Sequence, residues 1–185
     1  MNRENLKIKY FEALRYNRII EKIGEYKDYS TESLEKEIKA LISDAKEEQA
    51  KRKANNLVYI VLFFLNTSLY TKSYKYMLIV ADESLYINKP LAIRYWVPDF
   101  INEDASLIRK ELVQNRAKIP DLSEAEIEEG IRFVLKGYED IISILWKKAL
   151  ESVIDTDIFK DTSKELLFLF GEYMGELKQV NLNMH

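Results

Sequence analysis

The sequence predicts an α+β fold, a four-stranded, mainly antiparallel sheet flanked by an N-terminal helical pair and three C-terminal helices. Two observations carry that prediction. Residues 57–101 form a run of β-branched and aromatic residues cut by short turn signals, whereas 5–54 and 103–180 carry charged patterns of helical period. A third sets the scale: 185 residues that are 47% hydrophobic and 32% charged suit a single globular domain spanning 1–185 rather than a disordered chain.

The first helix is expected over 5–23, where Leu6, Phe11, Leu14, Ile19, Ile20 and Ile23 recur near the helical period and Gly24 suits its stop. Ser30 or Thr31 can cap a second helix, whose Leu34, Ile38, Leu41, Ile42 and Ala45 form an apolar stripe that gives way to polar residues over 46–56. Candidate strands are 57–65, 70–81, 84–87 and 91–97, and the short links between them imply antiparallel neighbours. Residues 57–65 are apolar in both registers, which calls for cover on both faces and places that strand centrally. In the fourth strand, Leu91, Ile93, Tyr95 and Val97 alternate with Ala92, Arg94 and Trp96, leaving one face polar enough to meet water or a partner.

Pro98 ends the sheet, Asn102 can cap a helix to about 116, and Pro120 breaks the chain. Ser123 with Glu126 reads as a capping box, followed by one stripe from Ile127 through Tyr138 to Ala149. Thr162 with Glu165 reads as another, opening a last helix rich in Leu and Phe over 166–177. Phe63 and Phe168 are expected in the core.

Several functions are excluded by residue type. With no cysteine there is no disulfide, thiolate metal site or cysteine nucleophile, and the one histidine is His185, the last residue. The glycines, Gly24, Gly130, Gly137, Gly171 and Gly175, lie within or at the end of helical patterns, so no glycine-rich loop offers its amides to a phosphate. No cofactor is implied. The longest apolar run, 57–65, falls far short of the roughly 20 residues that cross a bilayer. No basic-then-apolar leader opens the chain, so no membrane association and a cytoplasmic location are expected.

Carboxylate chemistry needs only acids near strand ends. Asp82, Glu83 and Asp99 sit at sheet termini, and a metal-dependent nuclease built on them is the alternative function. Asp155, Asp157 and Asp161 superficially suggest a calcium loop, but the glycine and the spaced oxygen ligands of an EF-hand are missing. Both clusters read better as turn and helix-cap carboxylates.

Two patches can serve a binding function. Tyr74 and Tyr76 lie among lysines, and Arg94 neighbours Trp96, a mixture that could anchor a protein or stack bases. A net charge of −3 argues against a groove for a nucleic-acid backbone, so direct nucleic-acid binding is not expected. The second patch is the acidic start of the helix capped at Ser123, with Glu124, Glu128 and Glu129. Residues 100–185 hold 17 acidic against 11 basic residues, and these carboxylates could imitate a phosphate array before a basic partner. Helix-dipole compensation accounts for most of them.

The run LNTSLYTKSYKYMLIVADESLYINKPLAIRYWVPDFI, residues 65–101, resembles the strand-rich middle of small proteins of phages and mobile elements of low-GC Gram-positive bacteria, a group that includes anti-CRISPR proteins. The resemblance implies a compact cytoplasmic protein that binds a host defence component, and it transfers no site residue. The expected function is therefore non-enzymatic protein binding, as an inhibitor of a nucleic-acid-targeting machine. A self-associating regulatory or scaffold protein is a third reading.

Overall fold

A computed structural model of the protein describes residues 2–25, 27–52, 57–115, 122–160 and 166–182. The fold is α+β. Among the described residues the elements run α1 (Arg3–Glu25), α2 (Glu32–Arg52), β1 (Tyr59–Phe64), α3 (Asn66–Tyr70), β2 (Tyr76–Ala81), β3 (Ala92–Trp96), α4 (Ile101–Gln114), α5 (Glu124–Lys136), α6 (Glu139–Val153), α7 (Asp157–Lys160), β4 (Leu167–Glu172) and β5 (Leu177–Gln179).

Among the described residues the sheet has five strands in the order β3-β2-β1-β4-β5, not the expected four. Its β1–β2, β2–β3 and β4–β5 pairs are antiparallel, and β1–β4 is parallel. β1 is central, as its two-faced apolarity requires. The added strands correct the expected last helix: residues 166–177 form a hairpin. Pairing beside β1 turns alternate side chains to opposite faces, so Phe168 and Phe170 are buried on one while Leu167 and Leu169 lie on the other. The capping-box pair Thr162 and Glu165, with Pro120, Asp121, Asp161 and His185, lies outside the described residues.

Local chemistry explains the other departures. The strand expected over 70–81 begins only at Tyr76, because Asn66–Tyr70 winds into a helical turn in which the Ser68 hydroxyl donates to the Leu65 carbonyl at 2.7 Å. The amides of Ser73 and Tyr74 both return to the Ser68 carbonyl, and Lys72 and Tyr74 take positive φ, 56° and 48°. Residues 84–87 are a turn. The Asp82 carboxylate accepts from the Ser84 amide at 2.9 Å, and the Ile87 amide donates to the Ser84 carbonyl at 2.7 Å, the local bonding that lets Asp compete with a strand ladder. α4 starts at Ile101, one residue before the expected cap Asn102. The long stripe from Ile127 to Ala149 is two helices, separated at Gly137 and Tyr138.

The chain divides into two compact units, each assembled from two stretches, although the sequence contains no linker: a helical unit of Met1–Tyr29 with Asp99–Ile142, and a sheet unit of Ser30–Pro98 with Ser143–His185. In the helical unit, Gly130 lets α5 pack closely, since a Cβ there would stand 2.9 Å from the Phe11 ring and 3.0 Å from Leu112. The capping box is formed as expected. Ser123 Oγ accepts from the Glu126 amide at 3.3 Å, and Glu126 Oε2 accepts from the Ser123 amide at 2.9 Å.

In the sheet unit α2 packs on β2 and β3, and α7 meets the same side through Phe159 against Phe168, ring centroids 6.4 Å apart. Ile60, Leu62 and Leu78 are fully buried on that face. The opposite face holds a second cluster, Val61, Phe63, Ile79 and Ala81, against which Met77, Leu85 and Leu169 pack. Phe63 and Phe168 are both buried. Among the described residues no helix is long and apolar enough to cross a membrane.

Candidate functional site

Alternation along β3 divides its side chains between two environments. Arg94 and Trp96 point to the face covered by α2. The Trp96 indole donates to Ser33 Oγ at 3.1 Å, and Arg94 donates to Asp44 at 2.9 Å and to Glu37 at 3.2 Å. The pKa of its guanidinium is raised: burial works against the charge, and the hydrogen bonds it donates to the two α2 acids, with their charges, outweigh it. Tyr76, opposite Trp96 in the ladder, is buried in the same row, its ring 5.8 Å from Trp96 and 5.7 Å from Phe64. Tyr74 is buried just before β2.

Of the aromatic-basic patch expected at Tyr74, Tyr76, Arg94 and Trp96, the three aromatic side chains are therefore buried, while the Arg94 side chain stays about one-third exposed. The exposed side of β3 is the other register, where Ile93 is 43% and Tyr95 52% exposed. The polar register suggested solvent because Arg94 stands in it, and its guanidinium does stay partly exposed, lying along the α2-covered face with its charge paired to two helix carboxylates. The signal for Tyr95 was present: it is a tyrosine two residues from Ile93 on one strand face.

Tyr95 belongs to a continuous row. The ladder sets Phe63 opposite Met77 and Met77 opposite Tyr95, and the Lys75 ammonium sits 5.9 Å from the Tyr95 ring centroid. At the far end, Phe63 meets Tyr173 edge-on at 5.3 Å and Tyr86 at 6.0 Å, so a side chain from connection 82–91 and one from the β4–β5 turn pack on it. Burial pushes the Tyr86 phenol up. At the hairpin tip Met174 is 70% exposed with φ 62°, an unusual conformation for a residue with a Cβ. Gly171 permits the hairpin itself: a Cβ there would fall 2.1 Å from the Glu176 carbonyl oxygen. Gly171 and Gly175 thus serve a strand and its turn, not the helix expected for them.

The acidic patch is in the helical unit and is compensated there. Arg109 pairs with both Glu124 and Glu128, Arg3 with Glu126 at 2.8 Å, and Lys7 with Glu126 and Glu129 at 3.5 Å each. The Glu126 carboxyl is held far below its usual range, first by the Arg3 hydrogen bond and then by the Ser123 amide and hydroxyl.

The sequence reading missed the polar cluster buried in the same unit. Asp104 accepts from the Tyr138 hydroxyl and pairs with the Lys22 ammonium at 3.2 Å, and that ammonium sits 5.7 Å from the rings of Tyr29 and Phe100. Burial works against the Lys22 charge, but hydrogen bonds with Tyr29 and Asp104 and the Asp104 charge raise its pKa overall. Tyr29 is pushed up to about 12 by burial and by its hydrogen bond to Glu25. The only hint in the sequence is Asp104 falling in phase with Ile101, Ile108 and Leu112.

The acids of the alternative nuclease site do not assemble. Asp82 is engaged in its turn, accepting from Ser84 and from the Asn88 side-chain amide at 3.3 Å. Among the described residues no group of three His, Cys, Asp or Glu side chains could hold a metal ion, which applies equally to Glu83, Asp99, Asp155 and Asp157. The chain matches no protein-family model, no curated protein and no solved structure.

Proposed function

We propose that the protein is a non-enzymatic protein-binding module whose contact surface is the sheet face bearing Ile93 and Tyr95. What carries the reading is the exposed pair Ile93 and Tyr95 on one face of an edge strand, with Ile87 exposed in the connection before it and Met174 exposed at a hairpin tip of positive φ. A β-branched residue and a tyrosine exposed on the same face of one strand have the composition of an interaction surface. Strain at Met174 fits the same role, because a sparsely populated conformation costs about 1–3 kcal/mol and is retained where it presents a group. The acidic start of α5 is the weaker candidate, since Arg3, Lys7 and Arg109 already take its charge.

A narrower reading follows from the resemblance of residues 65–101: inhibition of a nucleic-acid-targeting defence machine by a protein of a phage or mobile element, with a nucleic-acid-binding protein as partner. The test is affinity capture from a low-GC Gram-positive lysate, with and without nuclease, comparing wild type with a Tyr95→Lys/Met174→Lys variant and a Glu128→Lys/Glu129→Lys variant. Expected is a protein captured by wild type and by the charge reversal, resistant to nuclease and tolerant of salt, and lost with the sheet-face variant. Capture that disappears with nuclease, or that only the charge reversal abolishes, would overturn the proposal.

A further inference from the structure

We infer that an extended segment of the partner protein pairs with β3 as a further strand of the sheet, setting a basic side chain against α2 and apolar side chains beside Ile93 and Tyr95. The inference rests on the protein-binding reading and states the chemistry of the partner. It begins from a difference between the two edges of the sheet. β5 is three residues long with Lys178 at its centre, a short charged edge of the kind that discourages pairing. β3 is five residues long and free of proline, and among the described residues it pairs with β2 alone, so alternate amides and carbonyls point away from the sheet.

Area selects the kind of partner. Taking about 200 Å² for a large apolar side chain, the exposed parts of Ile93 and Tyr95 come to roughly 200 Å², whereas a stable interface between folded proteins buries about 800 Å² on each partner. Two side chains beside an open backbone edge suit a single strand, which draws its affinity from main-chain hydrogen bonds and its specificity from alternate side chains.

Charge selects the sequence of that strand. A residue directly opposite Arg94 points to the same face as Arg94, the one that α2 covers. There Glu37 and Asp44 bring two carboxylates to one guanidinium, and the Asp44 side chain keeps 48% of its surface exposed. The trio carries net negative charge, so a lysine or arginine on the added strand finds a carboxylate within reach, while an acid there is repelled. The residues on either side turn to the other face, beside Ile93 and Tyr95, where β-branched and aromatic side chains pair favourably. The expected segment reads apolar, basic, apolar, without proline.

A displayed library of random linear peptides, selected on the purified chain, should enrich that pattern. A synthetic peptide of the consensus should shift the amide resonances of β3, and exchanging its basic residue for Glu should weaken binding about tenfold at low salt and by less at 1 M salt. Asp44→Asn, a change at the surface, should shrink that difference, and N-methylation of the peptide should abolish binding by removing its ladder donors. No enrichment, a proline-rich or acid-centred consensus, resonance shifts that spare β3, or full binding by the methylated peptide overturns the inference. So does a chain that sediments as a dimer until Tyr95→Lys is introduced, since a second copy then holds the edge. Any of these results, beside a wild type that still captures a folded protein through Tyr95, leaves the protein-binding reading standing.

Discussion

In the helical unit the described interior holds Lys7, Lys22 and Asp104, whereas the buried polar residues of the sheet unit are the small hydroxyls Thr31 and Ser68. The difference follows from how each kind of structure fixes its register. In the sheet, backbone ladders set which residue stands opposite which, so the core can be wholly apolar and still unique. Packed helices have no such ladder, and apolar stripes tolerate small rotations and slides. We attribute the buried Asp104–Lys22–Tyr138 group to that need, as a polar contact that is satisfied at one rotation of the helices carrying it.

The largest effects should come from the two cores and should differ in whether they can be rescued. Phe63→Ala in the sheet unit should destabilise by roughly 3–5 kcal/mol by opening a cavity, and Asp104→Ala in the helical unit should destabilise by removing the acceptor of the Tyr138 hydroxyl and leaving the Lys22 ammonium with Glu25, at 3.2 Å, as its carboxylate partner. Adding Lys22→Met and Tyr138→Phe to an Asp104→Leu chain should recover most of the stability in chemical denaturation, since apolar groups of similar volume replace a buried ion pair at little cost. If the triple variant is as stable as wild type and keeps sharp amide spectra in the helical unit, the polar cluster does not set register.

Gly171→Ala should come next, at roughly 1–3 kcal/mol, because the new methyl meets a carbonyl of the hairpin rather than a movable side chain. Hydrogen exchange should show the loss confined to β4 and β5. In the helical unit Ser123→Ala should cost about 1 kcal/mol by removing one half of the capping box, with the change in melting temperature as the readout.

The smallest effect is one of pH. Lys22 and Tyr29 both have folded pKa values above their unfolded ones, so their contribution is fully present below about pH 10 and is lost as pH rises through the folded values. Both tryptophans, Trp96 and Trp146, belong to the sheet unit. On raising the pH above 10, helical circular dichroism should therefore decline before tryptophan fluorescence changes. Simultaneous loss would show that the two units do not respond separately.

Sequence by itself determined the elements whose signals are local. The capping box at Ser123 and Glu126 involves residues three apart, and the helix it announces is present. The two-faced apolarity of 57–65 is also sufficient for a central strand, because only a position between neighbours with both faces covered accommodates it. Tertiary structure decided what depended on partners distant in sequence. Residues 166–177 are as apolar as a buried helix, and they become strands because the open edge of β1 takes Leu167–Glu172 in parallel, about a hundred residues along the chain. Which face of β3 is the more exposed was settled by α2, which covers Ala92 and Trp96, pairs Arg94 with its Glu37 and Asp44, and leaves Ile93 and Tyr95 outside. Asp104 is a first-turn acid of α4 by position, and its burial depends on Lys22 and Tyr138, 82 and 34 residues away. A period in the sequence states which residues share a face, but the burial of that face depends on the element that packs against it.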